Sequence, residues 1–270
     1  MKRRYLIRLG IIGALVLVVY TPSFIYMFSR WNAVDTYYNH GILIPFISLF
    51  IVWLKRKELA KINLKPTRKG WLLFIPGILV YILSALWTVY FSAGFSLLLV
   101  IPGLVLLFLG KQFWRKMLFP VLFLIFMIPL PAIAIANISF RLKIFASQIA
   151  VFLVRLTGLP AIREGSVIKT AHSYLVVEDP CSGIRSLIAL IALGTLMAYF
   201  SRLSQTKKIV FFLSSVPIAI FSNVIRIAVL TLVSEMYGAK LATGTFHDVM
   251  GFMVFVIAFF SLALVGKVLE

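Results

Sequence analysis

The stretch Ala132–Leu159, AIAIANISFRLKIFASQIAVFLVRLTGL, decides how often this chain crosses a bilayer. It is apolar and long enough for a span. Yet Asn137, Arg141, Gln148 and Arg155 recur at steps of four and seven residues, which is one helical face. Such a stripe suits a helix lying in the membrane surface. The alternative is a true span whose stripe is buried in a bundle. The other charges arbitrate. Lys and Arg gather at 2–8, 55–69, 111–116 and 202–208 and at Lys267, and loops rich in them stay cytoplasmic. All five blocks share that side only if an even number of spans separates each from the next. Between Lys116 and Arg202 lie two further apolar runs, about 117–128 and 181–200, so residues 132–159 are expected not to cross.

Composition frames this reading. The chain is 62% hydrophobic with a mean hydropathy of +1.05, far above a soluble domain. The expected fold is an all-α polytopic bundle forming one domain, residues 1–270. Its eight spans are about 5–28, 41–54, 71–91, 95–109, 117–128, 181–200, 209–234 and 248–265, with one interfacial amphipathic helix. The first apolar run passes twenty residues with no small-residue cleavage site, so it reads as a retained span. The net charge of +19 lies between apolar runs and marks topology; it does not call for nucleic acid. Both termini are expected in the cytoplasm, and the polar loop 160–180 outside. There, Val167-Ile168 and Tyr174–Val177 flank Ala171-His172-Ser173 as an expected β-hairpin. Six of the eight acids, Asp35, Glu164, Glu178, Asp179, Glu235 and Asp248, then fall on the outer side.

Chemistry concentrates at that outer side. Cys181 is the only cysteine, so no disulfide framework or Cys-based metal cluster is available. His40, His172 and His247 are too scattered for a metal site, and no cofactor is expected. Asp179 suits an N-cap and Pro180 the first helical position, so Cys181 is expected in the first turn of a helix. That setting favours a thiolate. Glu178 and Asp179 oppose it, so a cation must help. Taken alone, such a cysteine reads more readily as a small apolar filler. Arg226 lies inside the seventh span, seventeen residues above Ile209. At about 1.5 Å per residue that is roughly 25 Å into a ~30 Å core. A charge there is expensive unless compensated, and marks a functional site. Asn223 shares its face. The competing reading is an arginine that snorkels outward or pairs with Glu235. His247 opens the eighth span, with Asp248 beside it to orient it or cap the helix. A thiol, a guanidinium and an imidazole at one depth suit acyl transfer: nucleophile, oxyanion stabiliser and proton carrier. Arg185, four residues after Cys181, rivals Arg226 for the cationic role, and Ser182 is a supporting candidate.

The sequence also resembles the exosortase/archaeosortase family of membrane-embedded cysteine transpeptidases, over nearly its whole length. Tyr38-Asn39-His40-Gly41 with Leu43-Ile44-Pro45 looks like the family's early motif. Ile128-Pro129-Leu130-Pro131 and Arg163–Ile168 look like its middle segments. Pro180-Cys181-Ser182-Gly183 resembles the nucleophile motif; Asn223–Arg226 and Phe246-His247 resemble the arginine and histidine motifs. The resemblance implies a triad of Cys181, Arg226 and His247. It implies a plasma-membrane enzyme, most like a bacterial exosortase. Its partners would be membrane proteins ending in a short motif, one transmembrane helix and a basic cluster (PEP-CTERM-like tails). Cleavage would be extracytoplasmic, with transfer of the new carboxyl end to a lipid or glycan acceptor and contact with membrane lipids throughout. The alternative is a multi-span transporter using Arg226 to bind an anionic substrate, although the internal repeats usual in transporters are not visible. A scaffold without chemistry is a third reading.

Overall fold

The computed structural model describes residues 3–33, 36–177, 182–242 and 245–270. It is all-α apart from one small sheet, and its outward faces are apolar, as a polytopic membrane protein requires. The chain folds as two compact units, Met1–Pro131 and Ala132–Glu270.

In the first unit, α1 (Arg3–Val19) and α2 (Thr21–Trp31) meet at a 64° bend. Pro22, in the first turn of α2, has no N–H with which to continue α1's ladder. Tyr20 is buried at the bend, its hydroxyl 2.6 Å from Ser96 Oγ. Then come α3 (Leu43–Leu54), α4 (Arg56–Ala60), α5 (Trp71–Leu86) and α6 (Tyr90–Phe108). Helices α5 and α6 interlock through small residues: a Cβ added at Gly103 would stand 2.7 Å from the Phe74 backbone nitrogen. At one end of this unit two basic blocks are knotted together. Lys116 Nζ pairs with Glu58 at 2.7 Å, and Lys55 Nζ donates to the Lys116 carbonyl at 3.1 Å. The Lys116 bond holds the Glu58 carboxyl below its ordinary range. The Thr67 N–H donates to the Leu106 carbonyl at 3.0 Å. Blocks 55–69 and 111–116 therefore share an end, as the charge parity requires. Helix α7 (Lys111–Phe123) is short and passes through a 3-10 turn, Leu124–Met127, to Pro129-Leu130-Pro131.

Among the described residues, five helices are long and apolar enough to cross a membrane: 68–86, 90–108, 132–156, 205–237 and 249–269. The bent pair counts as a sixth if it is one broken span; 39–54 and 184–200 are apolar but shorter. Length and apolarity alone thus give five or six, where eight were expected.

Besides those two shorter helices, the set differs from expectation at two further places. The run 117–128 is not in it, because its α-helix stops at Phe123. The stretch expected to lie in the interface is in it, as α8 (Ala132–Leu156). Helix α8 runs beside α10 (Gln205–Tyr237) in the same direction. Leu142 and Ala146 share a crevice with Ala219, Ile220 and Asn223; further along, Val151 and Val154 share a buried cluster with Ile227 and Ala228. The cause lies on the face that the polar stripe draws attention away from. Ser139, Ala146, Ser147 and Ala150 are all buried, and a seam of small residues lets a neighbouring backbone approach closely. Asn137, Arg141, Gln148 and Arg155 are exposed.

Helices α9 (Ile184–Phe200) and α12 (Thr245–Leu269) also pack on α10, where Leu190, Ala219 and Ala258 form a buried cluster; α11 (Ala239–Ala242) is a single turn between α10 and α12. The expected hairpin exists as β2 (Val167–Lys169) and β3 (Tyr174–Val176). A further strand, β1 (Ile162–Glu164), pairs antiparallel with β2. The two-residue turn Gly165-Ser166 makes this possible, with Gly165 at φ +63°.

Candidate active site

Helix α10 is the wall on which the candidate residues meet. Asn223 is 3% exposed and presses on Gly183, the residue before α9: a Cβ added at Gly183 would lie 2.6 Å from Asn223 Cγ. One turn on, Arg226 reaches the other way. Its Nη2 donates to the His247 carbonyl at 3.3 Å, and its guanidinium lies over Gly251, where an added Cβ would come 3.0 Å from Nη2. A single turn of α10 therefore grips the beginnings of both α9 and α12. Position 251 must be small for the guanidinium to lie there. Arg226 does not pair with Glu235, whose carboxylate lies 2.8 Å from His172 Nδ1.

Cys181 itself, with Glu178, Asp179 and Pro180, lies outside the described residues. The described residues on either side of that segment are buried. Val177 is 1% exposed and its N–H donates to the Ser166 carbonyl at 2.9 Å. Ser182 is 2% exposed, and its Oγ accepts from the Ile184 N–H at 3.4 Å. Helix α9 begins at Ile184, where a start near Cys181 was expected; the expected place of Cys181 in a first helical turn lies outside the described residues. Gly183 stands at φ +79°, a left-handed conformation that breaks the helical path, and its carbonyl accepts the first helical bond, from Leu187 N–H at 2.9 Å.

Of the supporting candidates, Arg185 is the second residue of α9 and is half-buried; its Nε meets no partner among the described residues. It stays a rival source of positive charge. His247 and Asp248 both lie in the first turn of α12, with His247 half-buried. Among the described residues no three His, Cys, Asp or Glu side chains gather. Sequence reasoning missed Gly183 and Gly251 as determinants of the site. Their signal is only a glycine facing a bulky polar side chain, which requires knowing what it faces.

Gly183→Ala tests this geometry. A Cβ in the left-handed region costs about 1–2 kcal/mol, and it would also collide with Asn223. The expected result is a protein that accumulates but processes substrate about tenfold more slowly, since misplacement of a reacting group is amplified in rate. Processing at the native rate, measured by loss of full-length substrate, would remove Gly183 from the site.

The family model described as transmembrane exosortase (Exosortase_EpsH) matches residues 31–264. No curated protein and no solved structure matches the chain.

Proposed function

Given that the chain belongs to the transmembrane exosortase family, whose members are membrane-embedded sorting transpeptidases, we propose that Cys181 is the nucleophile of a cysteine transpeptidase acting on C-terminal sorting signals. The substrates are membrane proteins ending in a short motif, one transmembrane helix and a basic cluster, of PEP-CTERM type. The Cys181 thiolate attacks the scissile carbonyl carbon. The oxyanion that forms is stabilised by the Arg226 guanidinium. His247 delivers a proton to the departing amine, leaving a thioester on Cys181, and then takes a proton from the incoming acceptor nucleophile. The acceptor forms its new bond to the carbonyl carbon as the thiolate leaves. The observation that carries this reading is the turn Asn223–Arg226. It holds Gly183, two residues from Cys181, on one side and the backbone of His247 on the other. Co-expression with a tailed substrate, followed by mass spectrometry of the new C-terminus, tests it. A substrate that stays full-length in a membrane containing the enzyme refutes it.

The same reading fixes the sides. Helix α8 takes the place of residues 117–128 as a crossing segment. The number of spans between Lys116 and Arg202 then stays even, and the total stays at eight. Both termini are cytoplasmic, and the sheet, the start of α9 and the start of α12 face the extracytoplasmic side. Reporter fusions distinguish the two arrangements. A fusion after Thr170 is expected outside and one after Ser204 inside in either case; one after Pro131 is expected inside only if α8 crosses. An outside signal at Pro131 restores α8 to the membrane surface.

A further inference from the structure

The tip of the β2–β3 hairpin is fastened to the last turns of α10. The Glu235 side chain is 7% exposed. One of its oxygens accepts from the His172 backbone N–H at 3.2 Å, the other lies 2.8 Å from His172 Nδ1, and the Thr170 side chain also bonds the carboxylate. One residue back, Ser234 Oγ lies 2.7 Å from Ser173 Oγ. A carboxylate near a helix C-terminus faces the negative end of the dipole, so this one needs donors, and the hairpin tip supplies them. From the tip, β3 runs back along α10 toward the site. Leu175 is buried with Leu230, and Val177 shares a cluster with Val224, two residues before Arg226, and Ile227, the residue after it. Only four residues, 178–181, then remain before Ser182, which is buried beside Gly183.

The segment carrying Cys181 is thus strung between two anchored ends. One anchor is the contact of Gly183 with Asn223; the other is the height at which β3 sits on α10. Glu235 lies nine residues beyond Arg226, about 13 Å along the helix axis, too far to touch the reacting atoms. We propose that Glu235 is a positioning residue: by holding the hairpin tip through His172 and Thr170, it sets the register of β3 on α10 and so the height at which Cys181 is presented to Arg226. This rests on Cys181 being the nucleophile.

The test compares Glu235→Ala and Glu235→Gln in the full chain, with two readouts. One is kcat and KM for a tailed substrate. The other is the alkylation rate of Cys181, the chain's sole thiol, by a membrane-impermeant maleimide. Glu235→Ala is expected to lower kcat about tenfold to a hundredfold with KM nearly unchanged, and to shift the alkylation rate about threefold or more. Glu235→Gln keeps an oxygen that accepts from the His172 N–H and is expected to stay close to wild type in both readouts. Two results overturn the proposal: Glu235→Ala with less folded protein but unchanged kcat and alkylation per folded molecule, and Glu235→Gln as impaired as Glu235→Ala. If Glu235→Ala does not fold, His172→Ala, which removes only the ring contact, must show a smaller shift in the same direction, and an unshifted His172→Ala also overturns it. Alkylation needs no substrate. A wild-type chain that processes nothing, but whose alkylation responds to Glu235, refutes the transpeptidase reading and leaves the hairpin anchor standing.

Discussion

Cys181→Ala abolishes processing of a tailed substrate, leaving it full-length and membrane-held while the enzyme accumulates normally. The expectation is strong because covalent catalysis has no substitute at this position. Cys181 is the only thiol in the chain, and loss of a nucleophile in a comparable acyl-transfer site costs on the order of 10⁶ in kcat. Normal accumulation is expected because Val177, Ser182 and Gly183, on either side of the segment, are held by buried contacts of their own. The thiol must also react faster than a free one, whose pKa is about 8.5. An impermeant alkylating reagent should label it from outside and stop processing in step with labelling. Native-rate cleavage by Cys181→Ala would reject the transpeptidase reading. The transporter alternative would then be the better account of Arg226.

The second large effect is at Arg226. Its guanidinium lies across the beginning of α12, bonded to the His247 carbonyl and seated over Gly251. The proposed role uses the planar fork: part of the group is held by the protein while it also donates to the developing oxyanion. A lysine offers one compact ammonium and cannot do both. Arg226→Lys is therefore expected to lose about 10²–10³ in kcat, the usual cost of one oxyanion donor. Arg226→Ala should be no better. The comparison variant is Arg185→Lys, since Arg185 lies four residues after Cys181 and is the rival cation. A fully active Arg226→Lys beside an inactive Arg185→Lys moves the oxyanion role to Arg185.

Much of the architecture is legible in the sequence because hydropathy and charge are long-wavelength signals. The runs at 71–91, 95–109, 209–234 and 248–265 each correspond to a helix, and the hairpin at 167–177 is present. What failed depends on contacts. The basic stripe of α8 is conspicuous in the sequence, while the buried small residues Ser139, Ala146, Ser147 and Ala150, of which Ala146 and Ala150 pack with α10, look like ordinary composition. Helix α9 starts only at Ile184, after Gly183, whose conformation is matched to Asn223, forty residues away in the chain, and no local signal announces that contact. The candidate residues Arg226 and His247 stand out in the sequence as residue types. The link between them in the structure is a side chain bonding a backbone carbonyl, which no residue pattern announces. Glu235 stands out in the sequence as an outer-side acid and as a partner for Arg226. Its bonds to His172 depend on a turn whose place on α10 is set by Leu175 and Val177.

The connection between α5 and α6 bears on how the chain is made. Only Trp87, Thr88 and Val89 separate the two helices, none of them charged. Thr88 stands at φ 54°, Val89 N–H donates back to the Ser84 carbonyl at 2.8 Å, and Ser84 Oγ lies 2.7 Å from Ser92 Oγ. With Gly77 and Gly103 already in backbone contact across the pair, neither helix can settle in the bilayer far from the other. During synthesis the two should leave the translocon together as one hairpin, carrying three uncharged residues across. Lengthening that turn with charged residues would then delay membrane integration of the chain before it altered any property of the finished enzyme.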